Sequence, residues 1–311
     1  MKKTPTPAEI RSLFANGNPD EVWVKVSDIV VRISPAYDFA QARTAFDGVM
    51  RLFRGDYPGY CAIRTPYHDL SHTLDVLLCA VRLAHGVHIS GTPLTDSDIT
   101  RIMVAALLHD IGYAQRQGED SGTGAQYTKD HVRRGVEFMR GYLVDQRLPS
   151  VWEAALEAMM LGTDHMSGFR KINFPDGRVR LLGQIVATAD LVGQMSARTY
   201  LEKLLFLYAE FREANLGGYQ STLELLRNTR NFYESTRAQR LDGELECLYQ
   251  KLAFHFKDCF GAERNYYLES LEKNMDYLSQ AARLDEAGCL SMLKRGGIVE
   301  KAHALVAPGA A

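Results

Sequence analysis

The apolar positions of this chain recur at helical spacing along most of its length. In residues 99–108, Ile99, Ile102, Met103, Ala106 and Leu107 fall three and four apart, the stripe of a helix that faces a core. Residues 38–54 carry a second stripe in Phe39, Ala42, Phe46, Val49, Met50 and Phe53. The same period predicts helices over about 69–84, 128–143, 151–161, 181–196, 199–214, 222–233, 240–259 and 265–282. Residues 55–66, 86–93, 117–126 and 168–177 read as loops. Thr95 to Asp98 offer N-caps for the helix over 99–108, and Thr128 offers one for the helix after the third loop. Val22, Val24 and Val26 alternate as in a strand, but no second strand exists to pair with them, so residues 21–34 are expected to be helical. Residues 1–20 predict a polar arm with one helical turn near 8–14. The chain therefore reads as all-α: an N-terminal arm and helix (1–37), a core (38–215), a helical extension packed on it (216–285) and a frayed tail (286–311).

At 311 residues the chain can bury a large core. Its 46% hydrophobic and 24% charged residues are ordinary for a globular protein. A formal charge of -2 gives no overall attraction to nucleic acid or to an acidic membrane. The five cysteines are odd in number and contain no Cys-x-x-Cys pair, which fits a reducing compartment; the cytoplasm is the expectation. No run approaches the roughly 18 apolar residues of a membrane span, and no apolar signal core follows Met1. Gly118, Gly122 and Gly124 match no phosphate-binding fingerprint; their loop follows His109-Asp110 and is a candidate lid.

The chemistry begins where the helix over 99–108 ends. An apolar helix that finishes in His109 and Asp110 buries an imidazole and a carboxylate, which is costly unless something compensates them. A divalent metal would, and Gly112 would let the chain turn away behind it. Asp190 poses the same problem, because residues 185–192 are apolar apart from it and Thr188. His68 and His72 stand four apart, on one face if the helix has begun. His72, His109, Asp110 and Asp190 come from three helices and offer nitrogen and oxygen but no sulfur. Such a set suits Mn, Fe, Zn, Ni or Co, and with waters Mg, and it argues against a structural zinc site. His131 opens the following helix and His165 lies past the end of the next. Lys129, Arg133 and Arg134 flank His131 as candidate substrate cations, with a solvated helix face as the plain alternative. Gln184, Gln194, Met195 and Ser196 surround Asp190 and are candidate substrate contacts. His85, His88, His255 and His303 lack a companion acid in an apolar run and read as surface or core. Arg227, Arg230, Phe232, Tyr233, Arg237 and Arg240 mix cations with aromatics, but the acids among them suggest a solvated face.

The order His…His-Asp…Asp on helices resembles the HD-domain superfamily of metal-dependent phosphohydrolases, over about residues 40–215. Tyr67-His68-Asp69-x-x-His72 is similar to the Tyr-His-Asn-x-x-His motif of class I cyclic-nucleotide phosphodiesterases. Thr163-Asp164 and Ala189-Asp190-Leu191 resemble that family's Thr-Asp and Ala-Asp segments. Tyr113 stands where that family has a further His, and Asp69 where it has Asn. The resemblance implies a helical bundle in which His72, His109, Asp110 and Asp190 bind metal and Asp110 bridges two ions. It makes His68, held by Asp69 or Asp164, the proton donor, with Tyr67 beside the substrate. His131 and His165 match the extra histidines of di-metal branches and complete a six-ligand set. One or two divalent metals are then expected, with metal-activated water hydrolysing a nucleotide or another small phosphate ester. A di-iron oxygenase of the same superfamily, and a helical binding module without turnover, are the competing readings. Neither nucleic acid nor membrane is an expected partner, and a homodimer is left open.

Overall fold

The computed structural model describes residues 5–14, 17–119, 121–165 and 167–306, and these are all-α, with helices and short turns and a lone bridge between Tyr60 and Arg116. The helices are α1 (Pro7–Ser12), α2 (Pro19–Ile33), α3 (Ala40–Arg54), α4 (Leu70–Ile89), α5 (Asp96–Leu108), α6 (His131–Asp145), α7 (Glu153–Leu161), α8 (Gly177–Ser196), α9 (Tyr200–Glu213), α10 (Thr222–Thr236), α11 (Leu252–Phe260), α12 (Tyr266–Ala281), α13 (Glu286–Met292) and α14 (Ile298–Val306). The readings of residues 1–4, of residues 307–311 and of the His303 side chain fall outside the described residues.

α4 and α8 are apolar on nearly every face, so they can only be central, and they pack along one another. α2, α5 and α11 surround α4, while α5, α7 and α12 flank α8. α5 starts at a complete capping box: Thr95 Oγ1 accepts from the Asp98 amide at 3.2 Å, and Asp98 Oδ2 accepts from the Thr95 amide at 2.9 Å. Residues 21–34 are helical as expected, with Val22, Val26, Ile29, Val30 and Ile33 turned to the core. No helix among the described residues is long and apolar enough to cross a membrane.

Four local expectations are corrected. α4 continues to Ile89, into the first half of the loop expected over 86–93, because its last turns pack against α11. Thr128 does not cap α6; its hydroxyl donates to the Ala125 carbonyl at 2.6 Å, and the helix opens at His131. The helix expected over 240–259 is broken. A wide π-type turn spans Arg237–Glu244, Glu246 and Cys247 are left-handed (φ 56° and 57°), and a tight turn over Leu248–Lys251 leads into α11. The tail is not frayed through Val306: α13 and α14 bury Cys289, Leu293, Ile298 and Ala302, with α14 packed on α9.

Candidate metal centre

Four helices deliver the expected ligands to one point. α4 supplies His72 from its first turn, the end of α5 supplies His109 and Asp110, α8 supplies Asp190, and α6 supplies His131. His72 Nε2 and His109 Nε2 lie 3.1 Å apart, and each lies 3.1 Å from Asp110 Oδ2. Asp190 Oδ1 stands 3.4 Å from His72 Nε2 and 3.6 Å from His109 Nε2. The second oxygen of each carboxylate faces a second histidine: Asp110 Oδ1 is 3.4 Å from His131 Nε2, and Asp190 Oδ2 is 3.8 Å from His165 Nε2. All six expected ligands therefore converge, with Asp110 between two groups of histidines.

The ring tautomers show what this cluster needs. His109 Nδ1 donates to the Ala106 carbonyl at 2.8 Å, and His131 Nδ1 donates to the Thr128 carbonyl at 2.7 Å. With those protons committed, the neutral rings turn Nε2 lone pairs toward carboxylate oxygens. Acceptors then face acceptors unless a second proton on each ring or a metal ion lies between them. Asp110 Oδ2 is buried with no donor among the described residues aligned on it. Burial opposes charge on His72, His109 and His131, yet Asp110, joined by Asp190 at His72 and His109 and by the Thr128 carbonyl at His131, outweighs it and pushes their pKa values up, His109 furthest. Burial likewise opposes ionisation of Asp110 and Asp190, yet the histidines hold both carboxyls well below the ordinary range. A metal fits this donor set. His72, His109, Asp110 and Asp190 would hold one ion, and His131, His165 and the far oxygen of Asp110 a second.

The centre forms one end of a cavity of about 450 Å³. Tyr67, His68, Thr163, Asp164 and Gln194 line it together with the apolar Leu204, Leu207, Phe211 and Phe232. No Lys or Arg is among its lining residues. Tyr67 donates its hydroxyl proton to Gln194 Oε1 at 2.6 Å, and the Gln194 amide lies 3.4 Å from His72 Nδ1, so this pair steadies the His72 ring.

His68 is where it was expected, but its anchor is not. His68 Nδ1 lies 2.6 Å from Glu210 Oε2, and Glu210 Oε1 accepts from the backbone amides of Tyr67 at 2.7 Å and His68 at 3.3 Å. The Glu210 side chain is 1% exposed. Asp69 instead caps α4 through the His72 amide and pairs with Lys203 at 2.7 Å, while Asp164 accepts from the Ser167 hydroxyl. Sequence reasoning missed Glu210. Its signal was an acid on the stripe of α9 that also holds Leu204, Leu207 and Phe211. Tyr113 is stacked between His68 (4.6 Å between centroids) and His131 (4.5 Å), so the tyrosine that departs from the phosphodiesterase pattern braces two histidines.

Other expectations are corrected. Arg134 is structural: it donates to the carbonyls of Gly112 and Ala114 at 3.0 Å each and lies over the Tyr127 ring. Neither it nor Lys129 or Arg133 lines the cavity: Arg133 is on an exposed face of α6, and Lys129 is exposed in the turn before that helix. The loop over 117–126 is no lid on this cavity: none of its described residues lines it, and Glu213 ties Thr123 down at 2.7 and 2.8 Å. Gly112 is not at positive φ; a Cβ there would fall 1.7 Å from the His131 carbonyl oxygen, so its smallness lets α6 approach. Arg240 does not belong to a solvated face: it is buried and donates to the Gly162 carbonyl beneath the turn that carries His165, while half-exposed Phe232 also reaches the cavity.

Among known proteins, a family model described as Npun_R2479-like matches residues 60–253, which spans every candidate ligand. No curated protein and no solved structure matches the chain.

Proposed function

The chain belongs to the Npun_R2479-like family, and from the geometry of its centre we propose that it is a metal-dependent phosphohydrolase of the HD-domain type. The observation that carries the reading is the convergence of imidazole lone pairs on two buried carboxylates, which calls for divalent cations. One or two ions there would supply Lewis-acid polarisation of a phosphoryl group and an activated water. The protein's own part is positioning and proton transfer. Glu210 accepts from Nδ1–H of His68 and so supports the charged ring, which leaves Nε2 as the nitrogen for the cavity. The doubly protonated ring gives its Nε2 proton to the leaving oxygen as the ester bond breaks and is left neutral, with Nδ1–H still bound to Glu210. The Tyr67–Gln194 pair keeps His72 oriented while this happens.

The cavity also narrows the substrate. With no Lys or Arg in its lining, nothing beyond the metal end is built to neutralise a polyphosphate. The apolar lining of Leu204, Leu207, Phe211 and Phe232 accepts a hydrocarbon or aromatic group. A phosphodiester with one negative charge and an apolar ester group therefore suits the site better than a nucleoside triphosphate. The test is metal analysis of protein purified without chelators, followed by turnover of bis(4-nitrophenyl) phosphate beside a nucleoside triphosphate. Bound divalent metal and hydrolysis of the diester alone are expected. Failure to bind any of Mn, Mg, Fe, Zn, Ni or Co overturns the reading.

The convergence of all six ligands and the cation-free cavity also favour a second reading, a di-iron oxygenase. Two irons per chain with substrate-dependent oxygen consumption and no ester hydrolysis would select it.

A further inference from the structure

A second cluster of ligand-type side chains lies at the other end of α4. His85, near the C-terminal end of that helix, faces His255 and Cys259, which stand four apart on one face of α11. His85 Nδ1 and His255 Nδ1 are 3.0 Å apart, and Cys259 Sγ is 3.7 Å from His255 Nδ1. The three donor atoms all lie within 4.8 Å of one another. We propose that His85, His255 and Cys259 form a second metal site, separate from the catalytic centre, that binds a zinc-class ion and clamps α11 to α4.

The distances match the chemistry. A tetrahedral ion with Zn–N near 2.0–2.1 Å and Zn–S near 2.3 Å separates two nitrogens by about 3.3 Å and a nitrogen from a sulfur by about 3.6 Å. The cluster holds its donors at 3.0 and 3.7 Å. A neutral ring nitrogen carries one lone pair or one proton, so His255 Nδ1 must divide it between two neighbours; an ion among the three atoms serves all of them. The outer nitrogen of His85 points to a carboxylate: Nε2 lies 3.8 Å from Asp258 Oδ2, which Arg32 holds at 3.5 Å. A carboxylate behind a ligating imidazole fixes the ring and strengthens it as a donor. Both histidines are buried, while Cys259 is partly exposed and leaves the ion a way in and water for a fourth position.

The backbone preorganises the cluster. A Cβ at Gly86 would fall 2.0 Å from the Lys251 carbonyl oxygen, so α4 and the turn entering α11 touch backbone to backbone beside His85. The ligand chemistry also separates the two sites. Two imidazoles and a thiolate select a borderline-soft ion such as zinc, whereas the catalytic centre is all nitrogen and oxygen. Arg82, one turn before His85, is committed to the Leu13 carbonyl at 3.0 Å and to the Tyr267 hydroxyl at 2.7 Å. His72 and His85 are 13 residues apart on one helix, about 20 Å at 1.5 Å per residue, so an ion here would steady the helix that carries His72 without entering its chemistry.

Cobalt(II) tests this on the full chain, because only a thiolate ligand gives an intense near-ultraviolet charge-transfer band and the catalytic centre has none. Cobalt-loaded wild type should show the band. Cys259→Ser should abolish it and lower bound zinc by one ion per chain, with an unchanged circular dichroism spectrum. Asp110→Ala, which disrupts the other centre, should keep it. No band in the wild type, or a band that survives in Cys259→Ser, overturns the proposal.

Discussion

Replacing Glu210 with Gln isolates the proton-transfer apparatus from the metal ligands. The side chain keeps its size, and its remaining oxygen can still accept from the amides of Tyr67 and His68, which Glu210 Oε1 binds at 2.7 and 3.3 Å. What changes is the atom opposite His68 Nδ1. An oxygen at 2.6 Å becomes an NH2 group, and a donor then faces a donor. A hydrogen bond to a charged group is worth about 1.5–3 kcal/mol. At about 1.4 kcal/mol per factor of ten, its loss should lower kcat by roughly 10- to 150-fold. Metal content should not change, because no ligand contact of His72, His109, His131 or Asp190 involves Glu210. Nitrogen-15 NMR of the imidazoles gives a second readout: the neutral wild-type His68 ring, the form left after proton transfer, should carry its proton on Nδ1, and Glu210→Gln should move it to Nε2 or leave the ring averaging between the two. A variant with wild-type kcat and the wild-type tautomer would refute the role given to Glu210. Loss of metal together with activity would show instead that Glu210 holds the centre together.

Two further outcomes follow from the same geometry. Gly112→Ala puts a methyl group where the His131 carbonyl oxygen lies 1.7 Å away, so α6 must shift. Metal analysis should show the His131–His165 position emptied before the His72–His109 one, and equal occupancy with wild-type stability would contradict this. The metal-free protein should be most stable between about pH 4 and 6.5. The raised pKa values of His72, His109 and His131 give stability that is full below their ordinary value near 6.5 and lost as pH rises through the raised values. The depressed Asp110 and Asp190 give stability that is present above about 3.9 and lost as pH falls through the depressed values. Divalent metal should replace the protons, release them on binding, and move the optimum upward. Thermal melts across pH, with and without chelator, measure this; a flat metal-free profile would count against the cluster.

The all-α class and the heart of the candidate centre were legible in one dimension. A helical stripe is written within four residues, so the periodicity of residues 99–108 and the N-cap candidates at Thr95 to Asp98 announced α5 without help from the rest of the chain. His109, Asp110 and Asp190 stood out because charge at the end or in the middle of an apolar run has a cost that the local sequence alone exposes. Adjacency placed Lys129, Arg133 and Arg134 beside His131, but it could not say that none of them would line the cavity. The wide turn over Arg237–Glu244 has a hydrogen-bonding pattern that a 3.6-residue stripe does not foresee, which is how buried Arg240 came to read as solvated.

Only the tertiary structure decided the pairings across long stretches of chain. Glu210 lies 142 residues from His68, and His255 lies 170 from His85. A side chain's sequence neighbours fix its helix and its face, because backbone hydrogen bonds and stripe packing are local. Which faces meet depends on how the helices pack around α4 and α8, a balance of shape and burial over the whole core that no segment carries by itself.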